Sequence, residues 1–326
     1  MSREATVLFD APGPRARRRN LVLTVIAALV ILGIIAWIVY ALADKGQFDK
    51  VLWHPFTQWD VWRTYFIQGT INTLKAAAVG TVLALVFGAI FGLARLSDHW
   101  WIRVPAGAVV EFFRAMPLLI LIFLAFFVPA TVSPIIADGP LGNFQRVMVE
   151  NVFSIFGVTI NNGTVTVPAF AAVVFGLTLY NGSVLAEIVR AGVQSIPRGQ
   201  SEAAFALGMR KNSVMRLVLL PQAVTAMLPV IVSQIVVLLK DTSLGFIIGY
   251  EDLTSYGFKI EPANFSNLLQ AAIVCAVIYI TINLIVSRIA TMLEARISRS
   301  KKSITTMSAG SSLPAAGMAS GGADAA

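Results

Sequence analysis

Six stretches of this chain stay apolar for about twenty residues or more, the length a helix needs to cross a hydrocarbon layer roughly 30 Å thick. They fall near residues 21–43, 67–94, 106–130, 166–190, 217–240 and 266–291. Between the fourth and the fifth the pattern changes. Glu202 to Pro221, EAAFALGMRKNSVMRLVLLP, is polar and basic. Read as a helix, it places Ala203, Leu207 and Val214 on one side, joined by the small Ala204 and Gly208 where a partner could come close. An amphipathic helix of this kind either lies on a membrane surface or docks on a soluble partner. Residues 131–165 hold Pro134, Gly139, Pro140, Gly142, Gly157 and Gly163, and read as turns and short elements outside the membrane. From Ser303 onward the chain is rich in Ser, Ala and Gly without apolar periodicity, so the tail 303–326 is expected to be disordered.

Composition narrows the class. Hydrophobic residues make up 57% of the sequence and charged residues only 13%. The mean hydropathy is +0.77. These values exclude an ordinary soluble domain and predict an all-α integral membrane protein with six transmembrane helices. A net charge of +8 could serve nucleic-acid binding, but the basic residues sit in short loops beside the apolar spans, so no nucleic-acid partner is expected. With both termini in the cytoplasm, Arg3, Arg15, Arg17, Arg18, Arg19, Arg95, Arg103, Arg190, Arg198, Arg210, Lys211, Arg216, Arg288, Arg296, Arg299, Lys301 and Lys302 lie inside. Lys45, Lys50, Arg63, Arg146 and Lys259 are then the external ones, and the asymmetry favours this orientation. Trp53, Trp59, Trp62 and Tyr65 fit an aromatic belt at the outer interface, and Trp100 and Trp101 mark the inner one. The run 21–43 is too long for a signal peptide and is expected to stay as an anchor. Cys275 lies alone in an apolar run, so no disulfide framework is available. His54 and His99 stand in loops without metal-ligand spacing, and no G-x-x-x-x-G-K-[ST] phosphate loop is present. Neither catalysis nor nucleotide binding is expected of this chain.

The spacing in the basic loop carries a resemblance. Glu202-Ala203-Ala204, three residues, Gly208, nine residues, then Val218-Leu219-Leu220-Pro221 resembles the EAA loop of ABC importer permeases, with Val218 where the family usually has Ile. The likeness extends over roughly Gln68 to Glu294. Gly69-Thr70-Ile71-Asn72-Thr73-Leu74-Lys75 and Gly92-Leu93-Ala94-Arg95 look like the opening helix of the polar amino-acid branch. Glu111 to Leu119 resembles its E-x-x-R-x-x-P-x-L segment, and Leu239-Lys240-Asp241-Thr242-Ser243-Leu244 its K-D-T/S-S-L turn. Asn181-Gly182-Ser183, Ala186-Glu187-Ile188 and Arg190 resemble the helix leading into the loop, and with Leu8 to Pro14 and the extra first helix the chain looks most like a glutamate uptake subunit.

The resemblance implies a five-helix type I transport domain over 68–294, with a coupling loop at 198–221, an accessory helix at 21–43 and a cytoplasmic N-terminus at 1–20. It implies that Glu202, Ala203, Ala204, Gly208 and Pro221 form or bound the helix seated in an ABC ATPase subunit. Its implied partners are that ATPase, which would use ATP and Mg, a second related permease subunit and an external substrate-binding protein. The setting is the plasma membrane, with lipid around a multi-pass chain.

Charges inside apolar spans need a partner, water or an interface, because a charge at mid-bilayer costs roughly 2.5–3.5 kcal/mol on insertion scales. Glu111 and Arg114 are three apart and could neutralise each other on a helix, or serve a pathway. Glu187 and Arg190 repeat the arrangement and are expected to steady the entry into the loop. Lys240 and Asp241 point to different faces of any helix, and Thr242, Ser243 and Gly245 favour a break after them. They line the path or hold the turn. For an anionic substrate the basic candidates are Lys240, Lys75 and Arg114. The rival reading is an ion-gradient-driven secondary transporter, for which Asp241 would be the deep coupling acid. It leaves the docking loop unexplained. A membrane-embedded enzyme would need a catalytic constellation that the sequence lacks.

Overall fold

The computed structural model describes residues 13–136 and 139–309, with the side chains at 290 and 293–309 excepted. The expectations for residues 1–12 and 310–326, including the Leu8–Pro12 part of the N-terminal likeness, lie outside the described residues. Helix α1, Pro14–Asp44, begins with a proline in its first turn, where a missing N–H costs nothing. It contains no buried residue. A stretch of short turns leads to α2, Trp59–Ala94, which carries a π turn at Trp62–Ile67. Helix α3, Trp100–Ala115, is followed by α4, Leu118–Ile136.

The single span expected at 106–130 is therefore two helices. Pro117 cannot donate into the ladder and pushes Met116 out of helical geometry, to φ −80° and ψ 137°. Only α4 is long and apolar enough to cross a membrane. The predicted loop 131–165 is also more regular than expected. Helix α5, Pro140–Asn151, precedes a hairpin of β1, Thr159–Asn161, and β2, Thr164–Thr166. Its turn is Asn162-Gly163, with φ of 49° and 78°. Two left-handed residues match the twist of a tight hairpin. Ser133 Oγ accepts the Val165 N–H at 2.8 Å and ties the hairpin to α4.

Helix α6, Ala169–Gln194, is the centre of the molecule and packs against α2, α3 and α4. Helix α7, Arg198–Ala206, follows, then α8, Lys211–Ile248. Helix α8 holds a π turn at Val214–Leu219 and tightens to 3₁₀ geometry over Thr242–Ile248. The break expected after Asp241 is thus a narrowing of the helix, ended by Gly249 at φ 82°. Residues 253–265 form an irregular helix, α9, before α10, Leu268–Ala309. Helix α10 runs through Ser303 to Ala309, a stretch that no Gly or Pro interrupts before Gly310.

All six candidate spans exist, as α1, α2, α4, α6, α8 and the first part of α10. In hydrocarbon, helices gain little from leaving one apolar surrounding for another, so association depends on close packing. Gly80, Ala84, Gly88 and Gly92 recur every fourth residue on α2 and are buried. A Cβ at Gly88 would stand 2.6 Å from Leu185 Cβ, and one at Gly92 2.7 Å from Val189 Cβ. This stripe of small residues lets α2 and α6 mesh along their length. Around that seam lies a core of Ala76, Ala77, Leu118, Ile122, Val173, Leu177, Leu238, Leu239 and Tyr250.

Candidate functional site

The sequence predicts one helix through Glu202–Pro221 with Ala203, Leu207 and Val214 aligned. The structure breaks it. Helix α7 begins at Arg198, so Glu202 is mid-helix, away from the amino end. It stops at Gly208, whose φ is +77°. The Gly208 N–H donates to Phe205 O at 2.9 Å and the Met209 N–H to Ala204 O at 3.2 Å. These two bonds form the Schellman stop that a left-handed glycine permits. No atom lies within 4 Å of the place where a Cβ on Gly208 would sit. The corner, rather than close approach within this chain, explains the glycine.

Beyond the corner, the π turn at Val214–Leu219 ends just before Pro221, which lacks the N–H a regular ladder needs. Ala204 and Val214 are buried, and α7 packs against this first part of α8. Glu202 and Ala203 are exposed. Phe205 is 48% exposed and Leu207 83%. A short helix thus projects from one end of the molecule with two apolar side chains presented outward. Leu207, which the sequence assigned to a helical face, caps the stop instead.

The same end carries a web of charges. Glu111 and Arg114 do not pair with each other. Arg95 reaches Glu111 at 3.1 Å and Glu187 at 2.7 Å, and Arg114 lies 3.8 Å from Glu187. The turn at Pro117 gives α3 its own direction, which turns both side chains toward α2 and α6. Arg190 pairs with Glu187, as the spacing predicted. Asp98 is paired with Lys211, whose hydrogen bond holds the Asp98 carboxyl below the usual carboxylate range. Glu187 is the centre of this web, and the part played by Arg95 was missed in the sequence because its partners come from helices 16 and 92 residues away.

The pathway candidates are not gathered into one place. Lys240 lines a groove of about 640 Å³ between α8 and α10, with Ser243, Thr254, Tyr279 and Asn283. Asp241 faces the other way, as adjacent residues on a helix must, and contacts Asn181 Nδ2 at 3.5 Å. Gln234 Nε2 donates to Asn181 Oδ1 at 2.7 Å, completing a polar file between α6 and α8 that sequence reading did not find. Thr242 and Ser243 hydroxyls donate to the carbonyls of Leu239 and Lys240, so both steady the narrowed turn. Lys75 is exposed in a separate cleft with Asn72, Phe170, Tyr250 and Glu251. Arg114 is at the opposite end of the molecule from both lysines. At the lysine end, burial pushes the Asp252 carboxyl up; it accepts from the Ser255 N–H at 2.8 Å and from Tyr279 Oη at 3.1 Å. Among the described residues, no cluster of three His, Cys, Asp or Glu could hold a metal.

A short exposed helix thus stands between two spans, on a small-residue scaffold. Residues 84–299 match the family of binding-protein-dependent transport system inner membrane components. The chain belongs to that family. It is the permease, the membrane-spanning component, of an ABC transport system for amino acids. The glutamate transport system permease protein GluD of Corynebacterium glutamicum is 39% identical over 265 residues, covering 81% of this chain and 86% of that protein. The glutamate/aspartate import permease protein GltK of Escherichia coli O6:H1 is 30% identical, over 68% of this chain and 91% of that protein. The crystal structure of an amino acid ABC transporter with histidines aligns at a TM-score of 0.57 and 29% identity, covering 72% of this chain and 95% of that one.

Proposed function

We propose that the permease imports glutamate, working with a partner ATPase, a second and non-identical permease subunit and an external binding protein. The carrying observation is α7: a short helix at the basic end of the molecule, with Phe205 and Leu207 exposed and its stop fixed by Gly208. Glu202, Ala203, Ala204, Gly208 and Pro221 are the coupling set in this reading. Glu202 offers a carboxylate to a basic group of the ATPase cleft, Ala204 seats α7 on α8, and Gly208 and Pro221 set the corner and the restart. The basic end faces the cytoplasm with both termini, as the distribution of Arg and Lys supports. ATP and Mg are used by the partner, whose closure shifts the population between inward-open and outward-open forms.

Glutamate is supported by the names of the two relatives and by basic groups along the chain. Lys240 meets the anion near the outer end of the path, with Asp241, Thr242 and Ser243 shaping the turn, while Lys75 and Arg114 act near the two mouths. The test is uptake in vesicles holding the co-purified complex, with glutamate, aspartate, glutamine and arginine in competition. ATP-dependent glutamate uptake supports the proposal. Uptake driven by a sodium or proton gradient without ATP sinks it, and stronger competition by another amino acid reassigns the substrate.

A further inference from the structure

Two ion pairs rooted in one short turn flank the coupling helix. Arg95 closes α2, where a cation also favours the negative end of the helix. Its side chain is 11% exposed and spans from Glu187 on α6 to Glu111 on α3. Three residues on, Asp98 takes Lys211, the first residue of α8. Glu187 stands upstream of α7 on a helix separated from it by residues 195–197, and Lys211 stands downstream after residues 207–210. Helix α7 hangs between two struts that start at the same turn, residues 95–99.

We infer that this turn is the seat against which the coupling helix pulls, with Arg95 and Asp98 as positioning residues that pass its displacement into α2. The inference rests on the proposed docking of α7 to an ATPase. A turn tied only to α6 would be carried along with α6. Tied also to Lys211, it registers motion of α8 relative to α6, and one of three things must follow: α2 tilts, the turn deforms or a pair breaks. The two pairs differ in a way that suits this. Arg95–Glu187 is largely shielded from water and acts as the fixed strut. Asp98–Lys211 is exposed on both sides, so it adds little to folding and can part and re-form during a cycle.

The rest of α2 is suited to carrying the displacement onward. Its glycine stripe meshes with α6, so it moves as a rod. In its first half Thr73 Oγ1 accepts the Leu253 N–H at 3.0 Å, and Asn72 Nδ2 donates to Glu251 O at 2.8 Å. One rigid element therefore joins the docking end to the segment that covers the opposite end.

The test uses the complete transporter in vesicles and reads amino acid imported per ATP hydrolysed, together with the amount of ATPase retained. Asp98→Lys and Lys211→Asp each bring like charges together. Both should keep the ATPase bound and lower the ratio roughly two- to fivefold, the upper part of the range an exposed pair spans. The exchange Asp98→Lys/Lys211→Asp should restore it. Arg95→Gln should lower the ratio, and Arg95→Lys, which keeps the charge without the two-way fork, should fall between. If the variants change only the yield of folded complex, and the surviving molecules keep the wild-type ratio, the pairs are structural staples and the inference is overturned. Failure of the exchange to rescue overturns it too. If the wild type imports nothing on ATP, the proposed function falls and the inference with it.

Discussion

Replacing Gly208 separates two explanations of why a glycine ends α7, the proposed coupling helix. A non-glycine residue at φ +77° carries a left-handed penalty of about 1–2 kcal/mol. An Ala there also favours continuing the helix over a Gly by about 1 kcal/mol. Both terms oppose the corner, so together they shift the balance by about 2–3 kcal/mol, or roughly 30- to 150-fold in population. Because nothing lies within 4 Å of the added Cβ, the penalty depends on the backbone and not on side-chain size. Gly208→Ala and Gly208→Leu should therefore lose the same amount of ATP-coupled uptake in reconstituted vesicles. Gly208→Asn should stay nearer wild type, since Asn tolerates the left-handed region. The membrane fraction and thermal stability of the transport domain should change little in all three. A Leu variant far worse than the Ala variant would refute the reasoning, because size would then matter and the partner's surface would be the cause.

Other expectations follow from named contacts. Gly88→Ala puts a methyl 2.6 Å from Leu185 Cβ and 3.2 Å from two backbone atoms of α6, so overpacking should cost about 1–3 kcal/mol in a detergent unfolding titration; unchanged stability would mean the seam is loose. Burial raises the folded Asp252 carboxyl above its ordinary value of about 3.9, so its contribution is present below that value and is lost as pH rises through the folded one. Asp252→Asn should flatten that fall in a thermal-denaturation series across pH, and an unchanged slope counts against the assignment. Lys240→Ala should reduce glutamate uptake with the ATPase still bound, whereas Lys75→Ala and Arg114→Ala should do less; normal transport without Lys240 removes it from the path.

The apolar runs were long enough to make the spans legible, and the loop spacing marked the segment that folds as α7. What the pattern did not convey came from single residues acting on the backbone. Pro117 splits one expected span because its effect on Met116 outweighs an apolar run that continues on both sides. Gly208 ends a helix whose polar pattern continues beyond it. The hairpin was readable in principle, since Asn162-Gly163 is a strong two-residue turn signal, but strands of three residues give no usable alternation. Within the charge web only the Glu187–Arg190 spacing was readable; the pairs between helices were not. Glu111 and Arg114 have the right spacing for each other, and only the meeting of α2, α3 and α6 shows that Arg95 and Glu187 are the stronger partners.

Helix α1 contributes no buried residue, and this bears on how the chain is made. A helix that buries none of its residues against the rest has little to wait for during synthesis. It can enter the bilayer alone, as soon as it leaves the ribosome, and hold its final place there. In the proposed orientation the cluster Arg15, Arg17, Arg18 and Arg19 stays on the side of synthesis, and each later span is threaded in alternation from that start. In that orientation the oily N-terminal helix is the first stitch, which sets the direction of insertion for a domain whose own glycine-lined helices can mesh only after they have all arrived.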